Sequence, residues 1–328
     1  MTESSAVFNA LVVGSGNVGA FYDDPSSTHC LTHAHAFTKH DGFHLIGFVD
    51  EDLEKAHRAS ARWGGRAFRH LDEAFGAERI DVVSVSVPDA RHCELLLDLS
   101  HRAVRLIFAE KPLVATMAEA NAVLKRYRET KIPVCVNFKR RFVPEYQELS
   151  RAIADGRFGQ YLGGTGYYGK GVLHNGSHLF DLMRFLIADV IDAEGTGFVE
   201  DWLAEDPSVS AVLLLANNGR FFVQAVDSRC FTMFEVDLLF EKKRVRISDL
   251  GFSLEEFDVA RDETFPDYEV LKLARESRTG LAEAMFHAAA NIHDFLTTGV
   301  PLKASLADGY RAMEISVMVH ERLKSVRR

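Results

Sequence analysis

The chain has 328 residues, 47% of them hydrophobic and 26% charged, with a formal net charge of −9. That length allows roughly two domains with sizeable cores, and the acidic balance argues against a general nucleic-acid binder, whose footprint is basic. No apolar run approaches the roughly 18 residues of a membrane span, and Met1–Ser5 lacks the basic segment and apolar core of a secretion signal, so no membrane partner and a cytoplasmic location are expected.

In chain order, the apolar run Val7 to Val13 predicts a buried parallel strand, and Gly14-Ser15-Gly16-Asn17-Val18-Gly19 follows it. A GxGxxG after a strand and before a helix brings backbone close to a pyrophosphate, which sits on the helix N-terminus. Gly14, Gly16, Asn17, Val18 and Gly19 are therefore predicted cofactor contacts; a glycine turn in an ordinary βα unit is the plain alternative. A polar segment, Asp23 to Thr32, leads to a short helix, Thr32 to His40, and a strand, Leu45 to Val49. That strand ends at Asp50, an acid placed to accept hydrogen bonds from ribose hydroxyls. Glu51 and Asp52 add negative charge and no Arg follows to receive a 2′-phosphate, so NAD is expected over NADP. His29, His33 and His35, with His40 and His44 nearby, lack a zinc spacing. No metal is expected, and the group reads as a His-rich loop over the cofactor.

Leu53 to Trp63 is a predicted helix, Ala67-Phe68 a short strand, and a small helix starts at Leu71. Asp81 to Val87 is a buried strand stopped by Pro88. Ala90 to His101 is helical, and the strand Val104 to Ala109 runs into Glu110-Lys111-Pro112. Thr116 caps a helix to Glu129, with Glu119 at capping-box spacing. Pro133 to Asn137 closes the sheet. Alternating strands and helices imply right-handed βαβ units and a doubly wound parallel sheet over residues 1–137. Ligands bind beyond the carboxyl ends of such strands, where Pro88, His92, Glu110, Lys111, Asn137, Arg140 and Arg141 fall. His92 reads as a nicotinamide contact or as a structural residue. Pro112 restrains Lys111, and a Lys partly desolvated in a cleft serves proton transfer; a surface-loop Lys is the alternative. Arg140 and Arg141 read as a fork for phosphate or carboxylate, or as a charge cluster at a helix start.

Beyond residue 137 the pattern changes. Phe142 to Ala154 and Gly176 to Ala188 are predicted helices, and Val190 to Val259 is mostly strands. Asn217-Asn218-Gly219 marks one hairpin turn and Glu241-Lys242-Lys243 another. Helices over Leu281 to Thr298 and Leu306 to Lys324 finish the chain. Residues 138–328 thus read as an α+β domain on an open, mostly antiparallel sheet, with helices on one face and a candidate subunit interface on the other. Within Gly169 to Asp181, His178 and Asp181 are spaced to share a helix face. Asp181 holding one ring nitrogen would leave His178 a general base near neutral pH; a helix-start His beside a surface Asp is the alternative. Tyr167 and Tyr168 either stack on a sugar or pack. Cys30, Cys93, Cys135 and Cys230 are scattered and read as reduced thiols.

Taken together, the N-terminal GxGxxG, the acid after the second strand, a strand ending in Glu110-Lys111-Pro112 and the later Gly176-Ser177-His178-Leu179-Phe180-Asp181 resemble the Gfo/Idh/MocA family of nicotinamide-dependent sugar and cyclitol oxidoreductases. The resemblance covers nearly the whole chain. It implies an N-terminal Rossmann domain, a C-terminal open-sheet domain, and homodimers or homotetramers built through that sheet. It assigns nicotinamide and substrate contact to Lys111, the catalytic histidine to His178, and the proline near the nicotinamide to Pro88. Where family members often carry an Asp two residues before the Gly, this chain has His174, so His174 or Asn175 is expected to take over the substrate hydroxyls. Asn137, Arg140 and Tyr168 complete the expected substrate contacts. The Asp23–His35 segment is longer than the family's usual route. The stretches around Asn137 and His174 look similar to a subgroup of polysaccharide and nucleotide-sugar pathways. The implied reaction passes a hydride between NAD and a secondary hydroxyl of a sugar, nucleotide sugar or cyclitol. NAD-dependent glycoside cleavage through transient oxidation and a nonenzymatic NAD-binding regulator are the alternatives.

Overall fold

Six short runs rich in Val, Leu, Ile and Phe pair as a single parallel sheet: β1 (Phe8–Val13), β2 (Phe43–Val49), β3 (Arg66–Phe68), β4 (Val82–Val85), β5 (Leu106–Ala109) and β6 (Val134–Val136), in the order β3-β2-β1-β4-β5-β6. The computed structural model describes residues 6–323; Met1–Ser5 and the expected helix end at Lys324 lie outside them. The described chain forms two compact units. One holds the residues up to Phe142 together with Ala282–Arg311, and the other holds Val143–Leu281 and the residues from Ala312. In the first unit Leu11, Val12, Phe48, Val83, Ile107 and Phe108 have no solvent exposure, as expected where helices cover both faces of a parallel sheet. The connecting helices are α1 (His33–Lys39), α2 (Leu53–Trp63), α3 (Leu71–Ala77), α4 (His92–Leu99) and α5 (Met117–Thr130). Thr116 and Glu119 form the expected capping box of α5, satisfying N–H groups that the first turn leaves open.

The predicted helix after the glycine loop is interrupted. It is a single wide turn, Asn17–Phe21, closed by the Tyr22 N–H on the Asn17 carbonyl at 2.9 Å. Residues 22–31 then loop out, and α1 resumes under a Thr32 cap. Asp23, almost fully buried, holds this loop by accepting from Leu31 N–H (2.6 Å), Thr32 Oγ1 (2.6 Å) and His35 Nδ1 (2.8 Å).

The second unit is an eight-stranded sheet: β7 (Tyr161–Tyr168), β8 (Val190–Leu203), β9 (Asp206–Leu215), β10 (Arg220–Ala225), β11 (Phe234–Phe240), β12 (Lys243–Ser248), β13 (Ser253–Arg261) and β14 (Glu269–Arg278), in the order β14-β13-β12-β11-β7-β10-β9-β8. All neighbours are antiparallel except β7 and β10. The β9–β10 hairpin turns at Asn217–Gly219, with Asn218 left-handed at φ 64°, the geometry that Asn-Gly pairs favour. β7 and β14 were not legible in the sequence: four of the eight residues of β7 are glycines or a threonine, and β14 is exposed along nearly its whole length, with no buried alternate face to give it a period. Helices α6 (Pro144–Ala154) and α7 (Ser177–Leu186) belong to this unit. One sheet face buries Tyr168, Phe221, Val236 and Leu238, while Phe222, Leu239, Leu271 and Leu273 on the other are exposed. Two helices close the chain, α8 (Ala284–Thr298) and α9 (Leu306–Leu323).

Candidate functional site

The three glycines of the first turn have two roles between them. Gly14 has φ 97°, and a Cβ there would strike the Ser86 carbonyl. A Cβ on Gly19 would collide with the Gly14 carbonyl. Gly16 is the exception, because a Cβ there would meet nothing within 4 Å. It borders a cavity of about 780 Å³ lined also by Asn17, Val18, Asp50 and Pro88. Two glycines thus shape the turn and the third leaves room for a ligand against bare backbone, the division of labour of a pyrophosphate loop. The turn after it is too short for a sizeable helix dipole. Asp50 is braced within this cavity. Its Oδ2 accepts from Ser15 N–H at 2.7 Å and its Oδ1 from Asp52 N–H at 3.0 Å. A carboxylate has lone pairs to spare for ribose hydroxyls after that. Arg69 also lines the cavity. Arg69 follows β3, one strand over from β2 though 19 residues beyond Asp50 in sequence, so an Arg lines the same cavity although none directly follows Asp50.

Beyond β5 and β6, two of the predicted residues, Glu110 and Asn137, join His33 and Ser84 in a hydrogen-bonded chain. Glu110 Oε1 accepts from His33 Nε2 at 2.9 Å and from Asn137 Nδ2 at 2.5 Å. The Ser84 hydroxyl meets His33 Nδ1 at 2.6 Å, and His33 packs edge-on to Phe108. Burial alone would raise the Glu110 carboxyl. The His33 hydrogen bond and charge, the Asn137 bond and the Lys111 charge override it and hold it at about 2. The Lys111–Pro112 peptide is cis. His92 is fully buried, with Nδ1 on the Pro112 carbonyl (2.8 Å) and Nε2 on the Val87 carbonyl (3.0 Å). The buried ring is wedged between the β4 and β5 loops with a carbonyl facing each nitrogen, which corrects its reading as a cofactor contact. Arg141 is held by Asp308 (3.1 Å) and the Lys303 carbonyl (3.2 Å), and Arg140 lies half-buried beside it.

The His-rich segment is likewise corrected. His33 and His35 are buried in helix α1 rather than in a loop over a cofactor. His40 packs against Phe43, Phe286 and His293, and burial with the His293 charge lowers its pKa. Among the described residues no group of three or more His, Cys, Asp or Glu is arranged to hold a metal ion.

In the second unit, His174 and Asn175 lie on the turn Gly171–Gly176, and His178 and Asp181 are buried in the first turns of α7. Asp181 Oδ1 lies 3.7 Å from Arg184 Nη1. The turn is anchored from the β8–β9 hairpin. Asp206 accepts from the N–H groups of Leu173 (2.8 Å) and His174 (3.0 Å), Ser208 Oγ accepts from Gly171 N–H (2.9 Å), and Asp201 accepts from Lys170 N–H (2.6 Å). Asn175 Nδ2 donates to the Gly169 carbonyl at 3.0 Å. His174 stacks on the half-exposed Trp202, and Lys170 Nζ sits 4.5 Å over the same ring. Neither Trp202 nor Lys170 was singled out in the sequence, because the hairpin that brings Trp202 there is formed some 30 residues away. Tyr168 is corrected outright. It is fully buried, and its hydroxyl donates to the Val209 carbonyl (2.9 Å) and accepts from the Val209 N–H (2.7 Å). It is a core residue with no face left for a substrate.

Residues 8–138 match the family model GFO_IDH_MocA, described as an oxidoreductase family with an NAD-binding Rossmann fold. The chain is 27% identical over 206 residues to a D-apiose dehydrogenase from Paraburkholderia graminis, covering 57% of this chain and 54% of that protein. It is 32% identical over 171 residues to an inositol 2-dehydrogenase from Leifsonia xyli, covering 52% of this chain and 48% of that protein. The chain thus spans about half the length of these curated relatives. The UDP-N-acetylglucosamine 3-dehydrogenase GnnA from Acidithiobacillus ferrooxidans shares the fold over 96% of this chain and 97% of its own, with a TM-score of 0.73 at 18% identity. No helix among the described residues is long and apolar enough to cross a membrane. With a glycine turn, a braced acid after β2 and an EKP sequence after β5, residues 8–138 match the Gfo/Idh/MocA family of oxidoreductases.

Proposed function

We propose that this protein is an NAD-dependent dehydrogenase or reductase that interconverts a secondary alcohol and a ketone on a sugar, nucleotide sugar or cyclitol. The observation that carries this reading is the cavity around Gly16, rimmed by the Asp50 carboxylate. Those residues fit a dinucleotide: bare backbone for the pyrophosphate, a carboxylate for the ribose and Pro88 on the β4 side. The sugar and cyclitol dehydrogenases among the relatives support the substrate class. Bound NAD supplies the hydride acceptor.

The protein's own residues supply the proton chemistry. In the oxidation the C–H bond breaks with its electron pair, the O–H bond breaks, and a C=O bond forms. His178 takes the hydroxyl proton, and Lys111 polarises the oxygen from a backbone pinned between Glu110 and Pro112. Glu110, kept ionised by His33 and Asn137, supplies a fixed negative charge next to that lysine. Asn137, Arg140, His174 and Asn175 bind the substrate's other polar groups. The exposed apolar side chains on the open sheet face, Phe222, Leu239, Leu271 and Leu273, make that face the contact for a homodimer or homotetramer. A cytoplasmic location completes the proposal.

Cofactor reduction at 340 nm across a panel of aldoses, uronates, nucleotide sugars and inositols tests it. Turnover on a panel member should fall on the order of a hundredfold in Lys111→Ala and in His178→Ala, a typical acid–base contribution, while NAD binding persists. Near-normal turnover in both variants refutes the assignment.

A further inference from the structure

Three arginines line the cofactor cavity; Arg102 is taken up by Asp72 and Asp98, and the other two, Arg69 and Arg91, are used by neither the glycine turn nor the ribose acid. Arg69 follows β3 and Arg91 follows β4, so they flank β2 and β1 in the sheet, and both line the cavity. Glu51, just past β2, touches both. Its carbonyl accepts from Arg69 Nη1 at 2.8 Å. Its carboxylate takes Arg91 in a two-pronged pair, Nη2 to Oε1 at 2.8 Å and Nη1 to Oε2 at 3.2 Å. Glu94 occupies the remaining edge of Arg91, accepting from Nε at 3.1 Å. These groups are solvent-exposed, and exposed ion pairs add little to stability, so the arrangement positions rather than stabilises.

Each of the three guanidinium nitrogens of Arg91 thus makes a hydrogen bond, and two carboxylates more than offset its charge. A guanidinium in that state has little to offer a phosphate; what it presents is a flat cationic face, which stacks on aromatic rings. Around Arg69 the three consecutive acids Asp50, Glu51 and Asp52 repel a second phosphate. We propose that Arg69 and Arg91, aligned by Glu51, form a guanidinium clamp for the adenine ring of the dinucleotide. This rests on the reading of the cavity as the NAD site and extends it to two residues with no counterpart in the glycine or ribose motifs.

Isothermal titration of the purified full chain with NAD, ADP-ribose and NADP tests the clamp without a known substrate. Arg69→Ala and Arg91→Ala should each weaken NAD and ADP-ribose by the same factor, about 3- to 30-fold, the range of a cation–π contact. The two ligands share the adenosine half, so their losses should match. Melting of the unliganded protein should be unchanged. Arg91→Lys keeps the charge but not the plane and should bind as poorly as Arg91→Ala. Unchanged affinities in both alanine variants overturn the clamp, and so does full retention in Arg91→Lys, which would make the contact one of charge alone. Selective loss of NADP in Arg69→Ala would make Arg69 a phosphate receiver and overturn it too. Failure of the unmutated chain to bind any of the three overturns the NAD reading itself, a result separable from the others.

Discussion

Replacing Glu110 by Gln removes one charge while keeping its shape and its acceptor oxygen, and so isolates what the ionised side chain contributes. Burial pushes this carboxyl up, yet the His33 hydrogen bond and charge, the Asn137 bond and the Lys111 charge hold it at about 2 against an ordinary 4.5. At about 1.4 kcal/mol per pH unit, that difference corresponds to on the order of 3 kcal/mol of stability. A depressed carboxylate pKa contributes fully above the unfolded value. The contribution is therefore complete above about pH 4.5, shrinks as pH falls toward 2, and is absent below that. For a unit of this size, about 3 kcal/mol corresponds to a melting temperature lower by roughly 6–12 °C in Glu110→Gln at neutral pH. Calorimetry of both proteins from pH 7 down to pH 2.5 should show the gap closing as the pH falls. Parallel melting curves across the whole range would refute the claim that the surrounding network holds Glu110 ionised.

Three further outcomes follow from the same geometry. Tyr168→Phe strands the buried Val209 N–H and should cost about 1–3 kcal/mol in urea unfolding without changing any substrate KM; a KM change with unaltered stability would return Tyr168 to the site. His174→Ala removes the ring stacked on Trp202 and should raise KM for the active panel substrate while NAD affinity by titration stays constant, and an unchanged KM ends that role. NAD should bind more tightly than NADP because Asp50, Glu51 and Asp52 repel the extra phosphate, and Asp50→Asn should narrow the gap; equal or tighter NADP binding in the unmutated protein would show that Asp50 does not govern the ribose site.

Much of the first sheet was legible because its signals are local. Uninterrupted apolar runs such as Leu106–Ala109 are what a strand buried on both faces needs, and turns such as Gly14–Gly19, Thr116–Glu119 and Asn217–Gly219 depend on the conformational freedom or side-chain hydrogen bonds of the residues within them. Those features owe nothing to distant parts of the chain, and the first sheet, the capping box and the hairpin stand where the residues predicted them.

Tertiary structure alone decided whatever joins residues remote in sequence. Glu110 is recognisable as part of a motif, but its partner His33 stands 77 positions earlier; only the outward loop held by Asp23, and α1 folded back against β4, brings the two together. His92 and Tyr168 each read two ways in the sequence, as ligand contact or as structural residue, and only the carbonyls facing the His92 ring and the Val209 backbone at the Tyr168 hydroxyl separated the readings. Arg69, Arg91 and Trp202 carry no motif, and each reaches its place through strand order or a distant hairpin. Local propensity writes turns and strands into the chain, whereas a side chain's role depends on which groups it meets in space, and sheet topology sets those meetings.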